Sequence, residues 1–74
     1  MLKRDETTNP ASCLNRARDD EMTFVLLGRD RAAPLAIRAW VEARILIGKN
    51  RLDDPQIQEA LACARRMEQD AGRR

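Results

Sequence analysis

At 74 residues the chain is one small domain, and a core of that size is marginal without a disulfide, a metal or a second subunit. Its fourteen basic and twelve acidic residues are mixed along the length and leave a net charge of +2, which excludes the basic stripe of a phosphate-driven nucleic-acid binder, while Phe24 and Trp40 are too few aromatics for single-strand stacking. No apolar run reaches the ~20 residues of a membrane helix, and without histidine the usual catalytic base is missing and Cys13 and Cys63 lack the paired spacing of zinc motifs.

Residues 1–8 are polar and aperiodic, and fraying is expected there and at 72–74, leaving a single helical domain over 9–71. Residues 1–10 carry no apolar signal segment, so a cytoplasmic location with reduced thiols is expected. Asn9-Pro10, Ala33-Pro34 and Asp54-Pro55 mark three helix starts, because proline at the first helical position gives up an N–H that has no partner there. Asn9 and Asp54 carry side-chain acceptors for first-turn amides; Ala33 carries none, so the amides of Leu35 and Ala36 need a partner from elsewhere.

From Pro10 to about Arg18 a short helix places Cys13, Leu14 and Ala17 on one docking face. Asp19-Asp20-Glu21 then breaks it and favours a new first turn. Met22 to Leu27 reads either as a buried strand or as a short helix capped by Asp20 and ended by Gly28, and the helix is preferred because a lone strand has no partner within one chain. The helix from Pro34 to about Ile47 is polar only at Arg38, Glu42 and Arg44, an apolar arc too wide for three short companions to cover, so part of it is expected at a subunit interface. Gly48-Lys49-Asn50 stops that helix, and from Pro55 to about Asp70 the last one lines up Ile57, Ala60, Leu61, Ala64, Met67 and Ala71. The expected fold is all-α, three to four short helices with a C-terminal antiparallel helical hairpin, assembled as a homo-oligomer.

The turn Gly28-Arg29-Asp30-Arg31 is the lead for function. A phosphate or carboxylate at the start of the Pro34 helix would accept from the amides of Leu35 and Ala36 and pair with Arg29 or Arg31, with Arg38 one turn further in. The competing reading has Asp30 folding back as a cap while the arginines pair with Asp19, Asp20 or Glu21 at the surface. Trp40 reads as a core or interface anchor, or as a stacking platform for a nucleobase. The candidate ligand-binding set is therefore Arg29, Asp30, Arg31, Leu35, Ala36, Arg38 and Trp40. Ser12 and Cys13 have no base beside them, the acidic run reads as a solvated helix start, and Cys63 reads as a small hydrophobe; no catalytic residue, metal or cofactor is expected. A helix-turn-helix is disfavoured because Gly48 to Asp54 exceeds a tight turn and Asp53 and Asp54 would face phosphates.

Ser12-Cys13-Leu14 through Asp19-Asp20-Glu21, the block FVLLGRDRAAPLAIRAW over residues 24–40, and Glu59-Ala60-Leu61-Ala62-Cys63-Ala64 together resemble a family of small proteins frequent in phages and prophages. That family often shows Asp-Glu-Pro where this chain has Asp20-Glu21-Met22, which leaves the local helix start less firmly set. The resemblance implies no established catalytic or binding residues. Small phage proteins often bind host components, and several phage families sequester the nucleotide signals of bacterial immunity in oligomeric helical sponges. By that analogy the expectation is a non-enzymatic, homo-oligomeric binding protein of the host cytoplasm that takes an anionic, nucleotide-like ligand at its Arg-flanked helix start. An adaptor or inhibitor that engages a host protein through an exposed apolar helix face is the alternative, and a DNA-associated regulator comes third.

Overall fold

Four helical segments follow one another in the computed structural model, which describes the backbone of residues 2–72 and the side chains of residues 2–70: α1 (Lys3–Thr8), α2 (Cys13–Arg16), α3 (Ala33–Leu46) and α4 (Pro55–Gly72). Among the described residues there is no strand, and no helix is long and apolar enough to cross a membrane. The helices associate in two pairs, α1 with α2 and α3 with α4, and among the described residues no contact joins a helix of one pair to a helix of the other.

The first pair departs from the sequence reading. Residues 3–8, expected to fray, form α1, and the helix expected from Pro10 shrinks to the single turn of α2. Asn9 does not cap a helix: its carboxamide oxygen accepts the Ala11 N–H, closing a turn around Pro10, and Ser12 is the cap. The Ser12 hydroxyl accepts from the Asn15 N–H at 3.2 Å and donates to the Glu6 carbonyl at 2.6 Å. Glu6 in turn accepts the Leu14 N–H, and the Asn15 carboxamide donates to the carbonyls of Thr7 and Asn9. Polar bonds thus hold a corner that apolar periodicity could not announce, and the supposed docking face is open, with Cys13 and Leu14 exposed. Ser12 itself is buried, so Ser12→Ala loses the cap and strands the Glu6 carbonyl, at a cost of about 1–2 kcal/mol confined to this corner. Amide exchange should quicken in residues 12–16 while the fluorescence melt of Trp40, on the other pair, stays in place.

Residues 17–32 run without helix or strand, so neither alternative for Met22 to Leu27 is realised. Gly28 ends no helix; it lies in a turn closed by the Asp30 N–H to the Leu27 carbonyl, and a side chain at this position would meet Met67 of α4 at 3.5 Å. Gly28 therefore lies close beside α4.

The second pair follows the sequence closely. Gly48 takes a positive φ of 77° after α3, and the N–H groups of Gly48 and Lys49 return to the carbonyls of Ile45 and Arg44, a paired closure of the helix end that glycine accommodates without strain. Pro55 opens α4 as expected, but the Asp54 carboxylate turns backward to the Arg51 N–H and the Asn50 carboxamide, leaving its carbonyl to accept the first helical bond from Gln58. These donors, the backbone one first, hold the Asp54 carboxyl below the usual range. Along α4, Ile57 and Ala64 are buried and Ala60, Leu61 and Met67 half-buried, as the periodicity predicts; Ala71 lies beyond the described side chains.

Among the described residues the buried apolar core is Ala33, Pro34, Val41, Ile57 and Ala64. Much apolar surface stays outside, with Met22 99% and Phe24 and Leu46 each 87% exposed. A Cα radius of gyration of 13.0 Å against the roughly 11 Å of a well-packed chain this long expresses the same openness.

Candidate functional site

Segment 17–32, α3 and α4 border an open apolar cleft of about 560 Å³, lined by Phe24 and Leu26 from the segment, Ala36, Ile37 and Trp40 from α3, and Ala60, Cys63 and Met67 from α4. The volume falls within the range of small-molecule sites, and the wall contains no charged residue. Leu26 leads directly into the turn that carries Arg29 and Arg31, so the predicted anion-binding turn adjoins a predominantly apolar cleft.

Around that turn the helix start is more self-sufficient than its sequence suggests. α3 begins one residue early, with Ala32 at the cap and Pro34 second in the helix. The Asp30 carboxylate accepts the Ala32 N–H at 2.9 Å, the Asp30 carbonyl accepts from Ala33, and the Ala36 N–H makes the first helical bond to the Ala32 carbonyl. Of the two amides expected to need a partner, Ala36 has one; among the described residues Leu35 has none. Asp30 closes a short turn ahead of the helix and its carbonyl takes the Ala33 N–H, whereas the Leu35 amide that a capping side chain would have met is left without a partner among the described residues.

Arg29 and Arg31 are exposed, and among the described residues neither guanidinium makes a hydrogen bond or an ion pair. The acidic run does not take them up, since Asp20 and Glu21 pair instead with Arg18, at 3.6 and 3.5 Å. Arg38 is engaged elsewhere: it donates to Glu68 of α4 at 2.7 Å. Trp40 is half-exposed on the cleft wall, with the Arg44 guanidinium 5.3 Å from its ring centroid, and Asn50 holds Arg44 there by accepting from its Nε at 2.7 Å. That cation takes one face of the indole. Leu35 points away from the cleft residues, 71% exposed on the outer side of α3, whereas Ala36 lines the cleft. The set named from sequence thus divides into a turn (Arg29, Asp30, Arg31), a cleft wall (Ala36, Trp40), a brace (Arg38) and an outer face (Leu35). Sequence reasoning missed Phe24, Leu26, Ile37, Ala60, Cys63 and Met67 as cleft residues; hydrophobicity marked them for a core, and only the irregular path of segment 17–32 leaves them around an opening. Cys13 and Cys63 are not joined in a disulfide.

The brace has a pH signature. The hydrogen bond from Arg38 holds the Glu68 carboxyl below its usual range; desolvation opposes it, the Arg38 charge adds a smaller lowering, and the same bond raises Arg38. A carboxyl lowered by folding binds its proton more readily in the unfolded chain, so its contribution is full above the ordinary carboxylate value and disappears as pH falls through the folded value. Melting temperature should therefore drop on acidification from about pH 5 to about pH 3, with Glu68→Gln flattening part of the drop and Asp54 supplying another part; the effect is small because both partners of the brace face solvent.

No family model, curated protein or solved structure matches the chain.

Proposed function

We propose that this is a small, non-enzymatic binding protein that sequesters an anionic, nucleotide-like ligand, with the base in the apolar cleft and the phosphates against Arg29 and Arg31. The single observation that carries the reading is two unengaged guanidinium groups on a turn that leads out of a 560 Å³ apolar cleft walled by Phe24 and Trp40. An aromatic-lined cleft takes the flat, weakly hydrated base, and planar guanidinium forks take phosphate oxygens in bidentate fashion. Asp30 serves as a positioning residue, holding the turn through Ala32 rather than meeting the ligand. In this reading α3 and α4 form an antiparallel hairpin, with Arg38 near the start of one helix paired to Glu68 near the end of the other. Homo-oligomeric assembly and a phage origin complete the proposal. Native mass spectrometry, with the protein alone and with a panel of linear and cyclic nucleotides, tests it: a retained nucleotide mass supports sequestration, and absence of any bound mass across the panel overturns it.

A second reading is favoured by the apolar residues outside the core. Met22 and Leu46 are almost fully exposed, which suits an adaptor or inhibitor that grips a host protein. Charge placed at Leu46 would abolish that activity and leave nucleotide binding intact.

A further inference from the structure

We infer that the cleft selects its ligand by aromatic ring face and phosphate, and not by the hydrogen-bonding edge of the ring, so that its ligand class is flat aromatic phosphates at large. The inference rests on the reading of the site given above, cleft for the ring and arginine turn for the phosphate, and deepens it by naming the class. A base edge is read by side chains that offer donors and acceptors in a fixed fork, which asparagine, glutamine, aspartate, glutamate and arginine provide. Among the described residues none of these lines the cleft. The side chains that do line it offer only the indole N–H of Trp40 and the weakly bonding sulfurs of Cys63 and Met67, and the cleft surface is predominantly apolar. Polar groups on the same helix are committed elsewhere. Arg38 is held by Glu68 at 2.7 Å, and Arg44 is held over the Trp40 ring by Asn50, whose own carboxamide donates to Asp54 and Gln56.

Magnitudes separate the two kinds of site. A pocket built to hydrogen-bond a substrate group rejects the analogue lacking it by about 10⁴- to 10⁵-fold, because its own polar atoms are then left unpaired, whereas an apolar pocket discriminates by only about 10- to 200-fold per methylene. A wrong base leaves no carboxamide, carboxylate or guanidinium of this lining unpaired, so the cleft works by the second rule. Stacking is open to every base, since every base has a π-face. The cleft is also open, and Phe24, which lines it, is 87% exposed, so a stacked ring keeps its edge in water. The cost of burying unmatched exocyclic groups, which would rank the bases, is thereby avoided. Selection falls instead to Arg29 and Arg31, whose guanidinium groups make no bond among the described residues and match phosphate oxygens in charge and geometry.

Isothermal titration calorimetry of the full chain with adenosine, guanosine, cytidine and uridine monophosphates, their parent nucleosides and naphthyl phosphate reads the selectivity. The four nucleotides should bind within roughly tenfold of one another, purines ahead by their larger stacking area, and each nucleoside should be weaker than its phosphate by roughly 100-fold or more. Naphthyl phosphate, whose ring has no hydrogen-bonding edge, should fall in the same range as the nucleotides. Phe24→Ala, at an exposed position, should weaken all five phosphates by one common factor of roughly 5- to 150-fold and leave their order unchanged. One nucleotide bound about 100-fold above the other three, or nucleotides bound with naphthyl phosphate excluded, overturns the inference and leaves the nucleotide reading standing. Naphthyl phosphate bound with no nucleotide removes the nucleotide reading and keeps the aromatic phosphate class, and no binding by any of the five overturns both.

Discussion

Ile57→Ala should remove most of the fold's stability. Among the described residues Ile57 is the one large side chain that is fully buried, and it sits on the first turn of α4, the helix that packs with α3. Truncating a buried isoleucine to alanine costs about 2–5 kcal/mol, the lost transfer energy plus the cavity left behind. A domain of this length has about 4–11 kcal/mol in total, and a core whose described members are small apart from Ile57, Val41 and Pro34 argues for the lower end. Melting temperature should fall by roughly 10–30 °C, read by circular dichroism and by the fluorescence of Trp40, the only tryptophan. Ile57→Val, which keeps most of the volume, should lose about 0.5–1.5 kcal/mol, and Met22→Ala, at a position 99% exposed, should stay within about 0.5 kcal/mol of the parent. An Ile57→Ala protein that melts with the parent would mean that stability is carried by something other than the α3 and α4 contact.

Substitution of Arg29 and Arg31 should separate ligand binding from folding. Neither side chain is engaged within the described residues, so their loss removes no intramolecular bond and the melt should be unchanged. A charge-assisted bond is worth about 1.5–3 kcal/mol, which makes each single alanine variant roughly 10- to 150-fold weaker toward a nucleotide, with the double variant below detection by calorimetry. Arg→Lys at either position keeps the charge and loses the fork, so it should recover only part of the affinity. Asp30→Asn retains an oxygen for the Ala32 N–H while deleting a negative charge beside the phosphates, and binding should tighten. Full affinity in both single alanine variants would remove the turn from consideration and move the weight to the apolar surface.

Where the sequence was legible, the rule was local. Gly48 ends α3 because a residue with positive φ is needed there, Pro55 opens α4 because its missing N–H costs nothing at that place, and Ile57 and Ala64 are buried because their spacing puts them on one side of a helix. Where it misled, the partner lay outside the window being read. Residues 3–8 look featureless until Ser12 and Asn15 fold back on Glu6, Thr7 and Asn9. Met22 to Leu27 has the composition of a strand and the punctuation of a helix, and takes neither form, running irregularly up to Gly28 beside Met67 of α4.

The candidate site divides along the same line. Composition and the position of proline were enough to establish an all-helical chain, a basic turn before α3, and a helix more apolar than its own chain can cover, since each follows from residue type and near-neighbour spacing. Only the tertiary structure decided that Asp30 closes the turn before α3, that Arg38 is bound to Glu68 thirty residues on, that Arg29 and Arg31 are left unengaged among the described residues, and that a cleft opens beside Trp40. Those outcomes depend on which side chains meet across segments distant in sequence, and such meetings are set by the packing of segment 17–32 and α3 against α4, which no local pattern encodes.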